Sequence, residues 1–160
     1  VAAAFGYPPR IVLYHFGGLA LYAPGHSYTQ GRSILISLAG PGAGFLLAGI
    51  IYLSAQAGAF GQLGPVISLP YFILRQLLYV NVWWGILNLL PVLPLDGGNV
   101  CRDVCTSINA HQGERWATII ALVTAAGVAV YAFQEERTYI AFLFGFMAFQ
   151  NYQMLQQRRF

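Results

Sequence analysis

Asp96 is the residue whose type and setting point most directly to chemistry. It closes the run Asn88-Leu-Leu-Pro-Val-Leu-Pro-Leu-Asp-Gly-Gly98, after an apolar stretch, residues 76–95, that holds no charged side chain. A carboxylate at the end of a membrane-length apolar helix is costly unless something pairs with it, and a metal ion is a natural partner. The plainer alternative is an aspartate capping a helix end at the membrane surface. Asn81, Gly85 and Asn88 recur at i, i+4 and i+7, on one helical face. Two amides on such a face point inward, either as interhelical hydrogen-bonding groups or as part of a site. The other metal-ligand types are sparse. None of His15, His26 and His111 has a histidine partner at i+4. Cys101 and Cys105 share a face, but neither CxxC nor CxxH spacing is present, so they read as structural. A lone His15 reads the same way.

The elements that must position Asp96 follow from composition. The chain has 160 residues, 58% hydrophobic and 8% charged, where a soluble domain is nearer a quarter charged. The reading is an all-α polytopic membrane protein. One membrane-embedded domain, residues 1–160, holds about four transmembrane helices, the tail of a preceding helix and a small β-hairpin near the N-terminus. The spans fall near residues 34–56, 71–90, 116–133 and 139–154. Gly40 and Gly44 form a small-xxx-small pair in the first, where Pro41 is expected to bend the helix. Pro91 and Pro94 must break the second between Asn88 and Leu95. Such a break needs protein or water around it, because lipid cannot satisfy its backbone. Gly97 and Gly98 then allow either close backbone approach or positive φ. Residues 99–111 read as a polar, helical connection. Residues 10–22, rich in β-branched and aromatic types and divided by Gly17-Gly18, predict the hairpin. Its open edge is suited to take an extended peptide as an added strand; the alternative is a cap on the helices.

The net charge of +3 comes from arginines alone, scattered without a basic stripe, which excludes a nucleic-acid partner. They sort by side. With Asp96 toward the cytoplasm, Arg10, Arg32, Arg102, Arg115, Arg158 and Arg159 fall there, and Arg75 and Arg137 fall opposite. That pattern fits the positive-inside rule for a multi-pass membrane protein.

The signature Asn-x-x-Pro-x-x-Pro-Leu-Asp-Gly-Gly over residues 88–98 resembles the second motif of the site-2 protease family, the intramembrane zinc metalloproteases. Ala39-Gly40-Pro41 resembles the family too, although Gly44 stands where members often carry Asn. Val1-Ala-Ala-Ala-Phe-Gly6 resembles the tail of the family's zinc helix. The resemblance implies that Asp96 is the third zinc ligand. The other two ligands and the general base belong to an HExxH helix, which this chain does not contain and which is expected just before Val1, inside a longer protein. In such a site Asn88, eight residues before Asp96, is suited to donate its amide to the developing oxyanion; the competing role is holding the Asp96 loop or bridging helices. The resemblance also implies that the hairpin, with His15, Phe16, Gly17 and Gly18, presents substrate: a transmembrane segment of a membrane-anchored protein.

Three functions compete on the sequence. The first is an intramembrane zinc endopeptidase, of which this chain is a portion. The second is a non-catalytic relative that binds membrane partners. The third is a small transporter or channel segment with Asp96 as an ion site. With one carboxylate and no paired histidines, these 160 residues alone are expected to bind zinc weakly and cleave nothing.

Overall fold

A computed structural model describes residues 9–14, 17–22, 29–57 and 69–157. Two strands, β1 (Pro9–Tyr14) and β2 (Gly17–Tyr22), pair antiparallel with Tyr14 opposite Gly17 and Pro9 opposite Tyr22. Five helices follow: α1 (Gln30–Gln56), α2 (Leu69–Asn88), α3 (Asp96–Ile108), α4 (Gly113–Gln134) and α5 (Thr138–Gln157). Two of them, α1 and α4, are long and apolar enough to cross a membrane by length and composition. The four apolar stretches read from the sequence lie within α1, α2, α4 and α5, apart from the last two residues of the second, which belong to the turn after α2.

Local chemistry sets the ends. The Thr29 hydroxyl caps α1 by accepting from the Arg32 N–H at 3.4 Å. The helix runs on through Pro41, which is buried. Pro91 has no N–H to offer the Leu87 carbonyl, so α2 stops at Asn88. Between α3 and α4, Asn109 Oδ1 accepts from the N–H groups of His111 and Gln112, both at 3.0 Å. Three residues join α4 to α5, and among them Glu136 takes the left-handed region with φ 58°.

The helices meet in a chain of neighbours: α1 packs on α2 and α3, α3 on α4, and α4 on α5. Small residues make the α4 contacts. Ala117, Ala121 and Ala125 stand one turn apart and are fully buried. Small stripes let helices approach closely where no hydrophobic force drives them together. The large apolar side chains mostly face outward: Leu46 is 70% exposed, Trp84 62%, Val123 65% and Phe142 76%. Apolar surface on this scale is what a bilayer covers.

Candidate functional site

Residues 89–95 form a compact turn between α2 and α3. Its backbone bonds to itself: the Leu90 N–H reaches the Leu87 carbonyl, Val92 reaches Leu90, and Leu95 reaches Val92, the last two at 2.7 Å. The Leu93–Pro94 peptide is cis. Val92 is fully buried and packs with Ala125 of α4 and Phe144 of α5. The turn thus has internal backbone bonds and its own core residue.

α3 begins directly after it. Leu95 is the N-cap, with extended backbone and no side-chain cap bond, and Asp96 is the first helical residue. The expected capping role for Asp96 is therefore not the one adopted. The polar connection read from residue 99 onward starts three residues earlier, because a carboxylate in the first turn favours the helix macrodipole. Gly97 and Gly98 are explained by close approach. A Cβ on Gly97 would collide with the Leu89 and Leu90 carbonyls, and one on Gly98 would lie 2.5 Å from Val92 backbone atoms. Only glycine lets the first turn of α3 lie against the preceding turn.

Asp96 is partly buried, and its carboxylate lies near α1. A Cβ on Gly40 would stand 3.5 Å from Asp96 Oδ2, and Gly40 itself is exposed. One turn on, Gly44 lies against Asn81, where a Cβ would stand 3.3 Å from Oδ1. The Asn81 amide donates to its own helix, to the Leu77 carbonyl at 2.8 Å. The Gly40/Gly44 face therefore meets two polar groups, Asp96 and Asn81; of the two amides expected to point inward, it meets Asn81 and not Asn88. Further along, the Gln30 side chain reaches the other end of α3, 3.4 Å from the Thr106 hydroxyl and 2.6 Å from that of Ser107. So α1 and α3 run antiparallel, and α1 braces both elements that flank the turn.

Asn88 is partly buried and borders a cavity of about 380 Å³ between the end of α2, the turn and α5. Trp84, Pro94, Leu95, Phe144 and Met147 line it, with Gln150 as a polar wall. Asn88 and the residue before Asp96 thus share one apolar space.

Cys101 and Cys105 are neighbouring, partly buried thiols on α3. Burial, with Cys105 adding to it, pushes the Cys101 thiol up to about 11, so it is protonated at neutral pH. His111 is exposed in the α3–α4 turn. Among the described residues no three His, Cys, Asp or Glu side chains gather as a metal-binding group. His15 and Phe16 lie outside the described residues; Gly17 and Gly18 begin β2.

The geometry isolates one carboxylate on a braced turn, and a search of known families matches that segment. Residues 62–132 match Peptidase family M50. The match includes the turn, Asn81, Asn88 and Asp96, and it bears out the site-2 protease resemblance of the Asn88–Gly98 signature. The chain is also 32% identical over 105 residues to a Synechocystis sp. protein named "Putative zinc metalloprotease sll0528". That alignment covers 65% of this chain and 26% of the relative, so the chain spans about a quarter of that protein's length.

A zinc ion is the metal that the M50 match implies. Asp96 fits it as a single ligand: its carboxylate does not cap α3, and glycine leaves room beside it. Further ligands have to come from outside the described residues. One functional candidate escaped the sequence reading. Asn151, an amide inside the last apolar stretch, is fully buried and bonds to the turn. An amide inside an apolar stretch tends to point inward, and that signal alone could have found it.

Proposed function

We propose that this chain is the part of a site-2-type intramembrane zinc endopeptidase that supplies the aspartate ligand. The observation that carries the reading is the placement of Asp96. It follows a self-bonded proline turn, makes no capping bond, lies beside glycine and falls within the M50-matched segment. Asp96 holds one position of the metal. When bound, zinc supplies Lewis-acid polarisation of the scissile carbonyl and an acidified water. Asn88 donates its amide to the oxygen on which charge develops. The apolar cavity beside Asn88 receives a side chain of the substrate, which is a transmembrane segment of a membrane-anchored protein. The outer edge of the β1–β2 hairpin pairs with that segment once it is extended. The bilayer surrounds α1, α2, α4 and α5, with Asp96 toward the cytoplasm as the arginines suggest.

The deciding experiment substitutes Asp96→Ala in the full-length protein. Zinc per chain, read by elemental analysis, is expected to fall from roughly one toward zero, as a three-ligand site loses a ligand. Cleavage of a transmembrane reporter is lost, while membrane insertion is unchanged. Full zinc and full cleavage in this variant overturn the assignment. For the hairpin edge, proline at alternate positions of residues 11–14 is expected to impair cleavage at one parity only, since alternate N–H groups face the incoming strand. Equal effects at both parities reject strand addition. For sidedness, a membrane-impermeant thiol reagent should reach His111→Cys from the cytoplasmic face alone; labelling from the other face reverses the orientation.

A further inference from the structure

Asn151 lies on α5, beyond residues 62–132, and is 0% exposed. Its Nδ2 donates twice, at 2.8 Å each time: to the Met147 carbonyl one turn back, and to the Leu93 carbonyl 58 residues away. Its Oδ1 is buried with no hydrogen-bond partner. An apolar side chain of the same size would fill the volume without leaving a buried oxygen unbonded. The amide is therefore poorly explained by packing within α5. It is well explained by the Leu93 carbonyl. The backbone bonds of the turn run from Val92 to Leu90, from Leu95 to Val92 and from Asn99 to Leu95, and they pass over that carbonyl. A buried carbonyl without a donor is costly, and Asn151 supplies the donor.

The bond also acts at a short lever. Leu93 is three residues before Asp96, and Pro94 between them has its φ fixed by the ring. Few free torsions separate the held carbonyl from the carboxylate. Phe144, two turns before Asn151, grips Val92 of the same turn. The face of α5 carrying both residues therefore holds two successive residues of the turn, one by packing and one by hydrogen bond.

We propose that Asn151 is a positioning residue for the metal ligand Asp96: through the Leu93 carbonyl, α5 sets the angle at which the turn delivers the carboxylate. This rests on the reading of Asp96 as a zinc ligand, and the test separates the two. The full-length protein is prepared as wild type, Asn151→Leu and Asp96→Ala. Zinc affinity is measured by chelator competition, cleavage of a transmembrane reporter gives kcat and KM, and thermal unfolding in detergent reports folding. Asn151→Leu keeps the branched heavy-atom outline and removes both donated hydrogens. Loss of a group that orients a ligand typically weakens metal binding or activity by about 10–100-fold. Zinc affinity should fall within that range, and kcat should fall with little change in KM. A merely structural role lowers the unfolding temperature and leaves zinc affinity and kcat per folded molecule at wild-type values; that result overturns the proposal. If Asn151→Leu does not fold, Asn151→Asp, which keeps the shape and donates at most one hydrogen, is judged by the same two quantities. Zinc retained in Asp96→Ala rejects the ligand reading itself. Zinc lost there, with wild-type affinity and kcat in the Asn151 variant, rejects only the positioning role.

Discussion

The two flanks of the 89–95 turn are built in opposite ways. Toward α1 the neighbours are glycines, and what they adjoin is polar: Gly40 beside Asp96 and Gly44 beside Asn81. Toward α4 and α5 the neighbours are buried side chains, with Phe144 and Ala125 around Val92 and Asn151 on the Leu93 carbonyl. The first flank leaves space at the carboxylate, and the second removes freedom from the backbone that carries it. The ligand role proposed for Asp96 needs both, since a metal ligand must be reachable and must not wander. Here the two requirements fall to different helices, so they can be disturbed separately.

The largest effect is expected on the packed flank. Phe144→Ala empties the space against Val92 and should destabilise the protein by ~3–5 kcal/mol, the usual range for a buried phenylalanine. Thermal unfolding in detergent measures it; a loss below ~1 kcal/mol would show that α5 does not hold the turn. Next comes the chemistry on the cavity. Asn88→Ala should lower turnover of a transmembrane reporter by about 10²-fold with zinc still bound. Parallel loss of zinc would move Asn88 to the scaffold. Gly98→Ala drives a methyl into Val92 backbone and should cost ~1–3 kcal/mol, seen as a lower unfolding midpoint. A neutral outcome there means that α3 can slide away from the turn. The smallest effect sharpens the contrast. Gly40→Ala puts a methyl at ordinary contact distance from Asp96 and gains helix propensity, so stability should hold or rise by ~0.5–1 kcal/mol. A marked loss would show the α1 flank to be as tightly filled as the other.

Much of this site was legible because its signals are local. Pro91 and Pro94 together withdraw two N–H donors three residues apart, and the α2 end at Asn88 follows, whereas the single Pro41 leaves α1 continuous. The Gly40/Gly44 spacing marks a close-packing face without naming its partner. Asp96 is conspicuous because it ends a long uncharged run. What stayed out of reach depends on distant contacts. Two roles were open for Gly97 and Gly98, and only the proximity of Leu89 and Val92 selects close approach over positive φ. Asp96 looked equally suited to capping, and the position of Leu95 as N-cap decides against it. Asn151 could be read as an inward amide of an apolar stretch, but its partner is 58 residues away, so no sequence pattern names what it bonds. The buried alanines of α4 are unmarked for a similar reason, because in a helix apolar all round no polar face sets off the buried one.

That 58-residue separation also fixes an order of events during synthesis. The chain emerges from the ribosome N-terminus first, at roughly 5–20 residues per second. The turn and Asp96 are therefore made roughly 3–12 seconds before the amide that holds them. Throughout that interval the α1 flank can assemble, while the Leu93 carbonyl waits for its donor. On the role proposed for Asn151, the carboxylate reaches its final bearing only once α5 is made and docks on the turn, so a nascent chain, or one truncated before α5, carries the proposed ligand without the part that aims it.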